Sequence, residues 1–362
     1  MVLQFHLKTT LSSSPTEETK SIAFSPNGSR VAAALGNHIL VWDVATGEVE
    51  CKVPWQNARA LSVIWVQDTQ LIAGFDDGML LTATMSPELC VLAGYDPVNV
   101  PIYFLALQPE DHTLSASDSS ALLAIGGQDV VQIWELKGVR AAPIHVKSIP
   151  RPPSASCTEV WVTSLGWVDR DTVIVSYRNH EVLTWKVRDP DPRPSSGLGA
   201  QSADSAGSVS PDGAHFVISN TSGVFDLYSI RTGVHLASLS LPDSEDKVGP
   251  CVFTHNGNAF LGAVGDHAKL WDIKTHLGFY DFVVGGRIVQ VAENYNHNDD
   301  VFRIAIVSIS GLISVYQSKD VADVNLHREI LHGPPRHYAW HPFLTGGVVS
   351  AIIIGLTAVF RR

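Results

Sequence analysis

Short runs in which apolar and polar residues alternate recur along this chain, each introduced by a turn residue and ending on an aromatic. Six copies share the pattern: "NHILVWD" (37–43), "DVVQIWE" (129–135), "HEVLTWK" (180–186), "GVFDLYS" (223–229), "DHAKLWD" (266–272) and "GLISVYQ" (311–317). Side chains two apart share one face of a strand, so each copy predicts a half-buried strand. The terminal aromatics are Trp42, Trp134, Trp185, Tyr228, Trp271 and Tyr316, and a seventh copy, "GMLLTAT" (78–84), has Ala83 at that place. Upstream of several copies, "IAFSPNGSRVAAAL" (22–35), "GSVSPDGAHFVIS" (207–219) and "CVFTHNGNAFLGAV" (251–264) set Asn-Gly or Asp-Gly between apolar runs. This is a hairpin signal, because glycine tolerates positive φ. Downstream, "VATGEVECKV" (44–53) and "IRTGVHLASL" (230–239) read as a turn and a fourth strand.

The key positions are 41, 51, 51, 43, 43 and 45 residues apart, close to the roughly 40–45 residues of a four-stranded propeller blade. The expectation is therefore all-β: one seven-bladed β-propeller over residues 1–320, its last blade completed by the N-terminal run "VLQFHLKTTL" (2–11). Such closure hides strand edges that would otherwise invite aggregation. The extra length is expected in two Pro-, Ser- and Gly-rich stretches, Ala141–Val160 and Arg188–Gly207, read as irregular surface loops. Within the first, "SIPRPPS" (148–154) has the form of a ligand for proline-recognising domains, but a plain connector is the preferred reading, since such loops usually just span blades.

Through Trp42-Asp43, Trp271-Asp272 and the Ser-Pro-Asn-Gly and Ser-Pro-Asp-Gly hairpins, the chain resembles the WD-repeat family of β-propellers over about residues 1–320. The resemblance implies a propeller that serves as a platform for other proteins. It is incomplete: the family's Gly-His pairs are absent, and only Asp77 takes the place of the aspartate the family sets before the third strand. "LWDIKT" (270–275) approaches the Trp-Asp-x-Arg signature of some ubiquitin-ligase substrate receptors. Lys274 stands where that signature has arginine, and lysine lacks the bidentate fork.

Charge changes the picture mainly by exclusion. Lys and Arg number 25 against 36 Asp and Glu, a net −11 with no basic cluster, so nucleic acid is not an expected partner. Cys51, Cys90, Cys157 and Cys251 form no CxxC pair, which fits reduced thiols in the cytosol or nucleus, and the N-terminus lacks a secretory signal. No nucleophile elbow, zinc-binding helix or phosphate-binding loop occurs. Asp76-Asp77 and Asp299-Asp300 read as solvated turn acids, and His327, His332, His337 and His341 lack the spacing of a metal site. The expectation is a protein without enzymatic activity, cofactor, metal or small-molecule substrate.

After residue 320 a polar connector (321–342), interrupted by Pro334-Pro335, leads into an uncharged run at 343–360. Ten of its eighteen residues are Leu, Ile, Val or Phe, among them Phe343, Val348, Val349, Ile352, Ile353, Ile354, Leu356, Val359 and Phe360. As a helix the run would span about 27 Å, enough for a thin bilayer. Tyr338 and Trp340 would anchor one interface, and Arg361-Arg362 would lie beyond the other. This predicts a single C-terminal transmembrane helix that holds the cytosolic propeller on the endoplasmic reticulum or mitochondrial outer membrane. The alternative is a soluble subunit of a multiprotein complex, such as a ubiquitin ligase, whose apolar tail docks into a partner.

Overall fold

The computed structural model describes residues 4–12, 17–55, 58–85, 89–109, 120–137, 142–153, 159–178, 180–190, 193–201, 206–220, 224–240 and 248–318. Among these, 28 strands form seven four-stranded antiparallel sheets. They are the blades of a β-propeller: 19–54, 60–95, 104–149, 162–201, 207–239, 248–283, and 288–318 joined by Phe5–Ser12. The first strand of each blade lies innermost and touches the first strand of the next, and that of blade 7 touches that of blade 1, so the ring is closed.

The core is divided among the junctions between blades. Seven clusters of buried apolar residues occupy them, one for each adjacent pair including blades 7 and 1. Each key position fills the junction with the preceding blade: Trp42 against blade 7, Ala83 against blade 1, Trp185 against blade 3 and Trp271 against blade 5. Trp134, Tyr228 and Tyr316 do the same from half-buried positions. A blade packs on both faces, so third strands such as His38–Asp43 and Glu181–Lys186 are buried on both sides, whereas Val130–Leu136 and Phe225–Ser229 keep the expected alternation. Arg30–Leu35 and Ala259–Val264 are almost wholly buried, and only fourth strands such as Val49–Pro54 keep an exposed side.

The N-terminal strand Phe5–Ser12 runs antiparallel to Leu312–Ser318, pairing Leu11 with Ile313, and forms the outer strand of blade 7. In the Ser-Pro-Asn-Gly and Ser-Pro-Asp-Gly hairpins, Gly28 and Gly213 adopt φ of 68° and 67°. At Gly213 a Cβ would also strike the Val168 carbonyl of blade 4.

The stretches expected to be irregular each contain a strand. Ile144–Ile149 is the fourth strand of blade 3 and Ser196–Gln201 that of blade 4. Prolines 143, 150, 152 and 153 flank the first of these rather than interrupt it, and an outer strand pairs along one edge only, which weakens its sequence signature. The extra length lies between Phe104–Leu107 and Ala121–Gly127, outside both stretches, and between Ile149 and Val162, within the first of them.

Candidate functional site

The register across each blade sets a first-strand residue in line with the key position. In blades 1 to 6 that residue is Phe24, Trp65, Leu107, Trp167, Val209 and Phe253. In blade 7 it is Glu293, paired through Ile304 to Tyr316. An acid therefore occupies a place that is apolar in every other blade.

Alternation along Ile288–Asn296 fixes where this acid faces. Ala292 packs against blade 1, and the Asn294 and Asn296 side-chain amides donate to carbonyls of blade 1: Ser25 at 3.2 Å, Pro26 at 2.9 Å and Asn27 at 3.1 Å. Gln290 adds a bond to the Lys20 carbonyl at 2.8 Å. Val291 and Tyr295 lie on the other side, with Glu293 between them, toward blade 6. Blade 7 thus holds blade 1 through four amide hydrogen bonds and meets blade 6 mainly through rings.

Those rings surround a second unusual group. His255 lies in the turn between the first two strands of blade 6, with its ring centroid 4.2 Å from that of Phe302, 5.9 Å from Phe5 and 6.2 Å from Phe279. It is only 7% exposed, and neither ring nitrogen has a hydrogen-bond partner. Burial pushes the imidazole down to about 4, so it is neutral at physiological pH. Next to it, the buried Thr254 hydroxyl is also unpartnered. The equivalent Ser25 and Ser210 each bond the Asn27 or Asp212 side chain and the amide two residues beyond the glycine. The blade 6 turn takes another form, with His255 and Asn256 both at positive φ, 53° and 52°.

Glu293 has neither a hydrogen-bond donor nor a cation against it. Its side chain is half-buried rather than sealed from water, and that burial pushes the carboxyl up to about 7, so it exchanges a proton near neutrality. In two other junctions the aligned residue is a tryptophan whose indole N–H crosses to the preceding blade: Trp65 to the Ala23 carbonyl at 3.2 Å and Trp167 to the Ala106 carbonyl at 2.9 Å. By register the counterpart of Ala23 and Ala106 in blade 6 is Val252. Glu293 occupies the place of those indole donors, and as a carboxylate it has nothing to donate.

Elsewhere, polar side chains serve the turns. Asp76 accepts the Arg59 amide, Asp77 that of Met79, Asp299 the Asn296 side chain and Asp300 the Tyr295 hydroxyl. Asp272, in "LWDIKT", accepts the amides of Lys274 and Thr275, the latter holding its carboxyl below the usual carboxylate range. On the outer side of blade 5, Ser238, His235 and Asp226 come together, but the hydroxyl at 3.0 Å and the carboxylate at 3.2 Å meet the same nitrogen, Nε2. A nucleophile relay needs them on opposite nitrogens, so this is a hydrogen-bonded cluster without that relay. Among the described residues no three His, Cys, Asp or Glu side chains are placed to hold a metal ion.

Of the blade aromatics, Trp42, Trp185 and Trp271 are 1%, 2% and 3% exposed. The predicted anchor residues, Phe343, Val348, Val349, Ile352, Ile353, Ile354, Leu356, Val359 and Phe360, lie outside the described residues, as do His327, His332, His337 and His341. Among the described residues no helix is long and apolar enough to cross a membrane. The fold defines the chain as a seven-bladed β-propeller. No family model matches it, and no curated protein matches it in sequence.

Proposed function

We propose that this chain is a non-catalytic docking platform of the WD-repeat kind, held on a membrane by its C-terminal run with the propeller in the cytosol. The observation that carries the platform reading is the construction of one face. There, the turns after first and third strands are tied by side chains: Asn27 to the Ser29 amide, Asp169 to that of Asp171, Asp212 to Ala214, Asp43 to Thr46 and Asp272 to Thr275. Asp68 of blade 2 also binds the Asn27 amide of blade 1 at 2.7 Å. Turns fixed before binding lose little entropy on contact. The same face exposes Val234 and Leu277 at equivalent turn positions of blades 5 and 6, 54% and 68% exposed. The Trp-Asp dipeptides support the WD-repeat reading, since Asp43 and Asp272 fix the turns that follow their tryptophans. The membrane reading is supported by the length and composition of 343–360.

Two comparisons test this reading. Full-length protein resists alkaline carbonate extraction, whereas a chain ending at Pro342, or Ile353→Arg at the helix centre, is released. Equal release of wild type and truncation would remove the tether and leave the soluble-subunit alternative. In quantitative cross-linking, Leu277→Asp reduces recovery of a partner that Ile309→Asp, on the opposite face, leaves unchanged. Identical partner profiles for both variants and wild type would remove the platform role of this face.

A further inference from the structure

The ring is completed within blade 7, where Phe5–Ser12 pairs with Leu312–Ser318, and the junction of this blade with blade 6 differs from the other six. Its core cluster includes Phe5 of the N-terminal strand, whose carbonyl accepts the Tyr280 hydroxyl of blade 6 at 2.9 Å. Facing these contacts are the half-buried Glu293 from blade 7 and the unpartnered Thr254 and His255 from blade 6. We propose that Glu293 is a proton-controlled latch of the ring. As the neutral acid it donates its proton to the Val252 carbonyl, as the indoles of Trp65 and Trp167 do in their junctions, and as the carboxylate it loses that bond and loosens blade 7 from blade 6.

The groups around Glu293 leave its charge uncompensated. Blade 6 presents Val252 and Thr254 from its first strand, neither of them titratable, and the neutral His255 from its turn. Blade 7 presents Ile304 and Tyr316, the latter's phenol raised by burial and so uncharged at neutral pH. Tyr295, on the same strand, gives its hydroxyl to Asp300. Arg303, on the adjacent strand of blade 7, pairs in register with Asn294 and so faces blade 1, with a guanidinium nitrogen 3.5 Å from the Asn294 oxygen. In blade 6, Lys269 pairs with Asp281 at 3.2 Å. When Glu293 ionises, its proton passes to solvent and no neighbour replaces it as a counter-charge. The four amide bonds to blade 1 do not titrate, so blade 7 stays attached on that side and the opening is confined to the junction with blade 6.

This device concerns ring closure and stands apart from whatever the platform binds. Hydrogen exchange read by mass spectrometry over 5–12 and 288–308, at pH 6 and pH 8 and corrected for intrinsic rates, tests it in the full chain. Wild type loses roughly tenfold in protection between the two, because an acid that titrates near 7 closed and near 4.5 open releases about one more proton on opening at pH 6 than at pH 8. Glu293→Gln keeps a donor for Val252 and shows equal protection at both pH values. Glu293→Leu restores the apolar character of the other blades and is also insensitive to pH. Equal wild-type protection at pH 6 and 8, or a Gln variant with the wild-type loss, would overturn the latch. Should the Leu variant fail to fold, the Gln comparison decides alone.

Discussion

Trp271 offers the sharpest test of how the blades are held. Its ring stacks on Phe260 with centroids 5.0 Å apart and an interplanar angle of 16°, and it reaches Phe225 of blade 5 at 5.5 Å. At 3% exposure it withholds nearly its whole surface from water. A buried indole of about 200 Å², at about 25 cal/mol per Å², represents ~5 kcal/mol of transfer free energy before the alanine methyl is deducted. Trp271→Ala leaves a gap between two sheets whose backbones are fixed by their ladders, so collapse recovers little. The expected loss is ~3–5 kcal/mol. Trp134 provides the internal comparison, since it is only half-buried and its indole N–H binds Gln132 of its own strand at 3.0 Å. Its alanine variant should lose about 1–2 kcal/mol. Urea unfolding followed by circular dichroism measures both, with m-values compared to confirm that the unfolding reaction is unchanged. A Trp271 loss under about 1 kcal/mol, or equal losses at the two sites, would contradict the view that the junctions carry the stability.

Removing residues 1–12 takes Phe5 and Leu11 out of two junction cores and leaves the Leu312–Ser318 edge open; thermal unfolding should move to markedly lower temperature, and an unchanged midpoint would refute closure by this strand. The Glu293 carboxyl titrates higher folded than unfolded, so its contribution to stability is intact below its unfolded value of 4.5 and is lost as pH rises toward about 7. Relative to Glu293→Leu, wild type should therefore weaken by up to ~3 kcal/mol between about pH 4.5 and 8, levelling off above 7, as read from paired denaturation curves. A difference that does not vary with pH would place this carboxyl in water.

The blade count and the closing strand could be read from the chain because they rest on local signals. Trp42 and Trp271 end alternating runs, and Gly28 and Gly213 mark turns whose geometry requires glycine. The outer strands Ile144–Ile149 and Ser196–Gln201 were obscured because a strand exposed on one side and paired on one edge needs little beyond a free backbone. Glu293 escaped for a different reason. In "VAENYNHND" it sits among asparagines that resemble a solvated turn, yet Asn294 and Asn296 are buried and hydrogen-bonded to blade 1. Its position becomes anomalous only when the strand is aligned through Ile304 with Tyr316, a register set by pairing across the sheet. The blade 6 turn shows the same limit, since "THNG" reads as an ordinary hairpin and gives no sign of the buried imidazole.

The pairing of Leu11 with Ile313 also imposes an order on the protein's birth. The outer strand of the last blade leaves the ribosome before the seven blades it helps to close, and its partner follows roughly 300 residues later, about 15–60 s at ordinary rates of synthesis. Throughout that interval the nascent chain carries an unpaired strand and a row of blades open at both ends. A chaperone that shields residues 5–12 would act on a segment that has no native partner until Leu312–Ser318 has been made.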